Sequence, residues 1–262
     1  MSYLKGKVAI VTGSTSGIGL GVAQELASNG ADIAMNGFGP ADEIEVLRGE
    51  IETTYNVRCL YFPADLSKPE DARNLVASVV EKMGSVDIVV NNAGIQFVSP
   101  LQDFPDEKWD SIIAINLSSA FHTMKASIPG MKAKGWGRFV NISSAHGLVG
   151  SPNKSAYVAS KHGLIGLTKV VALELANDGI TANCVCPGWV QTPLVDRQIA
   201  DRAVANNTTV EQETIKLISE KQPMHKFTSV KQIGIMVAFL CSDGASTITG
   251  TALSVDGGWV AE

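Results

Sequence analysis

Tyr157 and Lys161 stand four residues apart in the run SAYVASKHGLIGL, whose apolar residues recur at helical spacing. Partners at i and i+4 share a helix face, so the phenol and the ammonium are expected over one point in space. A free phenol titrates near ~10 and is a poor base at neutral pH. A cation about 4 Å away, at an effective dielectric of roughly 20, is worth about 4 kcal/mol, an upper value that would draw the phenol down by up to ~3 pH units. Neutral-pH acid–base work by Tyr157 then becomes possible. Ser144, thirteen residues upstream where the run VNIS ends, adds a hydroxyl that can hydrogen-bond a reacting oxygen. Tyr and Lys four apart also simply decorate the outside of a helix, so the pair alone leaves both readings open.

These residues need a scaffold, and the chain supplies one. Short β-branched runs (Val8 to Val11, Asp32 to Asn36, Arg58 to Phe62, Ile88 to Val90, Phe139 to Ile142, Thr181 to Val185 and Ala252 to Val255) alternate with longer helical patterns. Near-continuous apolar strands separated by helices predict an α/β fold: a doubly wound parallel sheet of about seven strands with helices on both faces. Ligands on such a sheet bind at the carboxyl ends of the strands, where strand order reverses. The first strand runs into Thr12-Gly13-Ser14-Thr15-Ser16-Gly17-Ile18-Gly19 and then a helix from Leu20 to Asn29. Glycines there permit a tight turn and close backbone approach, and a helix N-terminus offers N–H groups and a positive dipole end to a pyrophosphate. The spacing is GxxxGxG rather than GxGxxG, and a plain tight turn is the alternative.

No linker, charge block or composition break divides the 262 residues, so one domain over 1–262 is expected. With 45% hydrophobic and 18% charged residues the composition is that of a globular chain with a large core. The 21 basic against 26 acidic residues leave a net charge of −5, which argues against nucleic acid as partner. Cys59, Cys184, Cys186 and Cys241 have neither zinc-ligand spacing nor the density of a disulfide scaffold, and no metal is expected. Cys184 and Cys186, two apart in an apolar run, read as core residues sharing one strand face. No apolar run reaches membrane-span length and the N-terminus lacks a signal-peptide pattern, so a cytoplasmic location with no membrane partner is the default expectation.

The residues now resemble a known family, the short-chain dehydrogenases/reductases, over nearly the whole chain. The carriers are TGSTSGIG near the start, Asn91-Asn92-Ala93-Gly94, Asn116 in AINLSSAF, Ser144, Tyr157-x-x-x-Lys161 and Pro187-Gly188-x-x-x-Thr192, in that order. The resemblance implies a Rossmann-type fold and a catalytic tetrad of Asn116, Ser144, Tyr157 and Lys161, with Tyr157 as acid/base. It implies that Lys161 contacts the nicotinamide ribose, Asn116 holds a proton-relay water and Thr192 binds the carboxamide. The implied coenzyme site comprises Gly13, Thr15, Ser16, Gly17, Ile18, Gly19, Phe38, Asp65, Leu66, Asn92, Ala93, Gly94, Tyr157, Lys161, Pro187, Gly188, Val190 and Thr192. Asp65 reads alternatively as a helix N-terminal acid ahead of Pro69.

Family members that use NAD usually carry an acid where this chain has Gly37. Ser14, Thr15, Asn36 and Phe38 nevertheless include no cation to offset a 2′-phosphate, so NAD is the expected coenzyme. Gln96, His146, Lys154 and Gln198 fall near the expected mouth of the site, where they could surround a small carboxylate with donors, while Trp189 and Trp259 wall the pocket. A solvated Lys154, a His146 bonded to backbone and a Trp259 in the core or a subunit interface are the plainer alternatives. The runs NGFG, NNAGIQ, ISSAHGLVGSPNKSAYVASKHG, CPGWVQTPLV, SEKQP and SVDGGW resemble a bacterial branch of the family. That likeness implies interconversion of (R)-3-hydroxybutyrate and acetoacetate, with those four residues holding the carboxylate and Ser144 and Tyr157 the reacting end. Phe97 stands where relatives often carry a polar residue.

Residues 192–226 contain two helical stretches interrupted by Asn206-Asn207-Thr208-Thr209, with Thr208 and Glu211 fitting a capping box for the second. A long excursion beside the site reads as a lid that excludes water, with a rigid hairpin as the alternative. The family resemblance implies a homotetramer. Other functions remain open at this stage: a reductase of the same fold acting on acyl-carrier thioesters or sugars, or a non-catalytic NAD-binding regulator.

Overall fold

The computed structural model describes residues 2–261. In chain order the elements are β1 (Val8–Val11), α1 (Gly17–Ser28), β2 (Asp32–Met35), α2 (Ala41–Tyr55), β3 (Cys59–Tyr61), α3 (Pro69–Met83), β4 (Ile88–Asn91) and α4 (Asp106–Ile113). A π turn over Ala114–Ser118 leads into α5 (Ser119–Lys134), followed by β5 (Gly137–Ile142), α6 (Ser155–Glu174), β6 (Ile180–Pro187), α7 (Pro193–Asn206), α8 (Val210–Ser219), α9 (Val230–Cys241) and β7 (Ala252–Val255). Every strand pairing is parallel, in the order 3-2-1-4-5-6-7. The expected doubly wound sheet is therefore present, with seven strands.

The sheet has a core on each face because its central strands are apolar on both sides. On one face Val22, Leu26, Ile233 and Val237 from α1 and α9 cover Ala9, Val11, Ile33 and Val90. On the other, Val76, Met124, Leu164 and Val171 from α3, α5 and α6 cover Ile10, Val89 and Phe139. Close packing of α1 on α9 depends on small residues: a Cβ on Gly21 would lie 2.8 Å from Val230 Cβ, and one on Gly234 2.8 Å from Gly21 O. Cys184 and Cys186 sit buried in β6 as expected, and all four thiols are free.

Element ends differ from expectation for identifiable reasons. Helix α1 begins at Gly17 rather than Leu20, because glycines that read as a turn already carry the first helical turn. Strand β5 starts at Gly137, ahead of its apolar run, where a side chain would strike Met131. Asn36 leaves β2 and turns its amide to Phe62 O (3.1 Å) and Ala64 O (3.3 Å), clipping the ends of β2 and β3 together. The capping box of α8 is Thr209 with Gln212, one residue later than the expected Thr208 and Glu211. Thr208 is instead spent on Glu213, to which its hydroxyl donates at 3.0 Å.

Strand order reverses between β1 and β4, and a cleft of about 700 Å³ opens at their carboxyl ends. Beneath it lies a buried polar stack: Thr123 Oγ1 donates to Asn91 Oδ1 (2.6 Å), Asn91 Nδ2 to Asn141 Oδ1 (2.8 Å), and Asn141 Nδ2 to Thr168 Oγ1 (2.8 Å). Its members satisfy one another and register α5, β4, β5 and α6 below the site. Among the described residues no helix is long and apolar enough to cross a membrane.

Candidate active site

At one end of the cleft the backbone of the glycine-rich turn is shaped to admit a ligand. Gly13 and Gly17 have φ of 64° and 52°, a region that side chains disfavour, and a Cβ on Gly19 would run into Gly13 O. Ser16 precedes α1 without capping it through its side chain, so first-turn N–H groups remain free to meet an anion. The Asn92-Ala93 segment is latched to this turn. Thr12 Oγ1 accepts from the N–H of Asn92 (2.9 Å) and of Ala93 (3.0 Å), while Asn92 Nδ2 donates to Thr12 O (2.8 Å) and Gly13 O (3.2 Å).

The expected residues Gly13, Thr15, Ser16, Gly17, Ile18, Phe38, Leu66, Asn92, Ala93, Gly94, Gly188, Val190 and Thr192 line the cleft. Gly19 and Pro187 lie behind the lining. Asp65 is outside it: its carboxylate accepts from Ser67 N (3.0 Å) and Ser67 Oγ (2.7 Å), and those bonds, with Lys68 close by, hold it below the usual carboxylate range. The carboxylate thus belongs to the turn leading into α3, whose N-cap is Lys68. Glycine at position 37 has a steric reason too, since a Cβ there would lie 2.5 Å from Thr15 Oγ1, which donates to Phe38 O. The cleft here is walled by Thr15, Asn36, Gly37, Phe38, Ala64 and Leu66, none of them charged.

At the middle of the cleft Ser144, Tyr157 and Lys161 come together. Burial raises the Tyr157 phenol above its ordinary value, and the Ser144 hydroxyl beside it acts in the opposite direction. Lys161 reaches into the site from the same helix as Tyr157. Its Nζ is 5.6 Å from the centre of the Tyr157 ring and donates to Ile142 O at 2.8 Å, because the side chain runs inward to the end of β5. Burial lowers Lys161 to about 8, which still leaves it protonated at neutral pH. Asn116 belongs to the π turn between α4 and α5, a feature frequent at functional sites. It does not line the cleft: its Oδ1 accepts from Ile95 N (2.8 Å) and its Nδ2 donates to Ile95 O (2.9 Å). Asn116 and Lys161 nevertheless flank Gly94 together, with Oδ1 3.4 Å and Nζ 3.6 Å from where its Cβ would stand.

At the far end Gln96, His146, Lys154, Trp189, Gln198 and Trp259 all line the cleft. The His146 ring stands edge-on to Tyr157 (6.1 Å) and to Trp259 (5.0 Å), and Trp189 lies 6.0 Å from Trp259. Burial, with Lys154 and Lys221 nearby, pushes His146 down to about 4, so it is neutral at physiological pH. Burial also lowers Lys154, which has no ion-pair partner among the described residues and whose Nζ lies 5.9 Å above the Trp189 ring. Trp189 Nε1 is buried without an acceptor.

Two supports of this end stand in the runs SEKQP and SVDGGW but were given no role from the sequence. Gln222, fully buried, accepts the Trp189 N–H and donates to Lys226 O (2.7 Å), pinning the Gly188-Trp189 bend. Asp256 accepts from Gly258 N (3.1 Å) and Val260 N (3.0 Å), fixing the loop that carries Trp259. Ile95, Leu194 and Arg197 also line the cleft and were not foreseen. Phe97 does not line it; it packs edge-on against Phe104 at 5.6 Å. Among the described residues no group of three or more His, Cys, Asp or Glu is placed to hold a metal ion.

A family model described as enoyl-(acyl carrier protein) reductase matches residues 13–260. The chain is 52% identical to a D-beta-hydroxybutyrate dehydrogenase of Rhizobium meliloti (strain 1021), over 98% of this chain and 99% of that one. The chain belongs to the short-chain dehydrogenase/reductase family. A second member of this family, a D-beta-hydroxybutyrate dehydrogenase of Cupriavidus necator, is 51% identical over 99% of this chain and 100% of its own length. Among solved structures the L-sorbose reductase of Gluconobacter frateurii, complexed with NADPH and L-sorbose, superimposes with a TM-score of 0.95 at 30% identity, covering 100% of this chain and 99% of that one. Members of this dehydrogenase family use NAD or NADP, and the glycine cradle and free helix N-terminus described above fit such a dinucleotide.

Proposed function

We propose that this protein is an NAD-dependent dehydrogenase that interconverts (R)-3-hydroxybutyrate and acetoacetate. The observation that carries the reading is Lys154: a largely buried cation without a carboxylate partner, facing the same cleft as Tyr157. Holding that charge away from water is unfavourable unless an anion arrives, and Gln96, Gln198 and the neutral His146 line the same cleft as further donors. Trp189 and Trp259 add apolar walls to this cleft. Full-length likeness to relatives named D-beta-hydroxybutyrate dehydrogenase supports the same substrate.

The bound nicotinamide supplies the acceptor for a hydride from C3 of the hydroxy acid. Lys154, His146, Gln96 and Gln198 hold the carboxylate, and that remote grip orients C3. The Ser144 hydroxyl donates to the reacting oxygen. Tyr157 takes the hydroxyl proton in oxidation and returns it in reduction, with the protonated Lys161 supplying positive charge from the end of β5. Asn116, bonded to both backbone groups of Ile95, acts by holding the π turn against Gly94. The coenzyme is NAD rather than NADP because no cation lines the cleft near Gly37 and Phe38 to offset a 2′-phosphate.

Helices α7 and α8 form the lid, within a single domain. Glu213, buried between them, accepts from Arg202 Nε (3.1 Å), Asn206 Nδ2 (3.0 Å) and Thr208 Oγ1 (3.0 Å), so the pair would close as one body. Phe121, Val170 and Leu173 on α5 and α6 stand exposed, which supports association into a homotetramer. A steady-state assay at the NADH absorbance band, with both enantiomers of 3-hydroxybutyrate and with NAD and NADP in parallel, tests the whole reading. Turnover of the (R) acid with NAD is expected. Comparable efficiency with NADP would overturn the coenzyme assignment, and no turnover of either enantiomer the substrate.

A further inference from the structure

We propose that Arg197 binds the diphosphate of the dinucleotide and so ties the coenzyme to the lid. This rests on the dinucleotide reading of the cleft. A diphosphate brings two negative charges, and the glycine turn meets them with neutral N–H groups only. Three cationic side chains line the cleft: Lys154, Lys161 and Arg197. Lys161 is committed to Ile142 O, and Lys154 lies over Trp189 at the far end. Arg197 is the one left to serve the glycine-turn end.

Its posture points there. Arg197 Nε donates to Pro193 O at 3.2 Å, so the exposed side chain folds back along α7 toward the helix start. That start abuts the glycine turn: a Cβ on Gly17 would lie 3.5 Å from Thr192 Cγ2. The first turns of α1 and α7 therefore face each other across the cleft, with the guanidinium on the α7 side. Asp196 and Asp201 share the helix, yet Arg197 has no ion pair among the described residues. A planar fork of donors matches phosphate oxygens, and an exposed guanidinium loses little hydration in reaching them. Because α7 is braced to α8 through Glu213, a bond from Arg197 to the coenzyme holds both helices down, and coenzyme binding precedes productive capture of the hydroxy acid.

The experiment compares wild type, Arg197→Met and Arg197→Lys by titrating NADH fluorescence and by calorimetry with ADP-ribose, which keeps the diphosphate and lacks the nicotinamide. Arg197→Met is expected to weaken both ligands about tenfold and to the same degree, with Arg197→Lys recovering part of the loss. The gap between wild type and the Met variant should narrow as salt is raised. If wild type binds ADP-ribose and Arg197→Met binds it equally well, the assignment falls while the coenzyme reading stands. If wild type binds neither ligand, both fall. A rise in the KM for acetoacetate at saturating NADH, with ADP-ribose affinity intact, would overturn the proposal by moving Arg197 to the substrate.

Discussion

Across the cleft, the ends of β1 and β4 present one wall and α7, braced by α8, the other, and they are held by different bonds. On the sheet side the Thr12 N–H donates to Val90 O (3.0 Å) and the Thr12 and Asn92 side chains tie the Asn92-Ala93 segment to the end of β1, which pairs with parallel β4. On the helical side Arg202, Asn206 and Thr208 gather on the single carboxylate of Glu213, itself buried. The sheet wall therefore cannot shift without breaking the register of β1 on β4. On the proposed lid reading, the helical wall would move as a body as long as Glu213 keeps its partners. On that reading the difference would put rigidity at the glycine turn and mobility at α7 and α8.

Removing the acid/base should show the rigid wall surviving loss of the chemistry. Tyr157→Phe is expected to lower kcat by about a thousandfold while NADH affinity, followed by fluorescence, moves less than about twofold, since the diphosphate cradle is far from the phenol. A matching loss of affinity would mean that the two sites are one unit. Next in size is an acid effect at the substrate end. His146, held at about 4 against an ordinary 6.5, binds fewer protons folded than unfolded between those values. Stability is therefore full above pH 6.5 and declines as pH falls toward 4, by up to about 3 kcal/mol. Urea midpoints of wild type and His146→Gln across that range should converge at low pH; parallel curves would remove the burial argument.

At the anion grip, Lys154→Ala is expected to raise the KM for acetoacetate about thirtyfold and to leave reduction of a neutral ketone much less affected. Equal damage to both substrates would delete the grip. The smallest effect is on the swinging wall itself. Glu213→Gln should speed proteolysis within residues 192–226 several-fold without moving the urea midpoint of the sheet, and wild-type sensitivity should fall when NAD and acetoacetate are added. Unchanged cleavage in both experiments would make α7 and α8 a fixed part of the scaffold.

What was legible in the chain follows the same division. The strands and their order of use were readable because buried parallel strands are written as apolar runs, and the glycine turn because its backbone excludes side chains. Tyr157, Lys161, Ser144, Lys154 and His146 were readable as types at spacings. The contact of Lys161 was not, since i and i+4 fix a shared face but not which way a four-carbon stem runs, and Ile142 O lies inward. Nor were Gln222 and Asp256, whose roles come from meeting Trp189 and the 258–260 loop in space, nor the shift of the α8 cap by one residue, because Thr208 and Thr209 are equivalent until Glu213 claims the first.

The four thiols carry one last implication. Cys59, Cys184 and Cys241 are pushed up to about 12 and Cys186 to about 11, each chiefly by burial, and none has access to solvent. Since alkylation and peroxide attack require the ionised sulfur, the native protein should ignore iodoacetamide and mild oxidant alike. Modification would then proceed only as fast as whole molecules open, which turns cysteine labelling into a clock for unfolding.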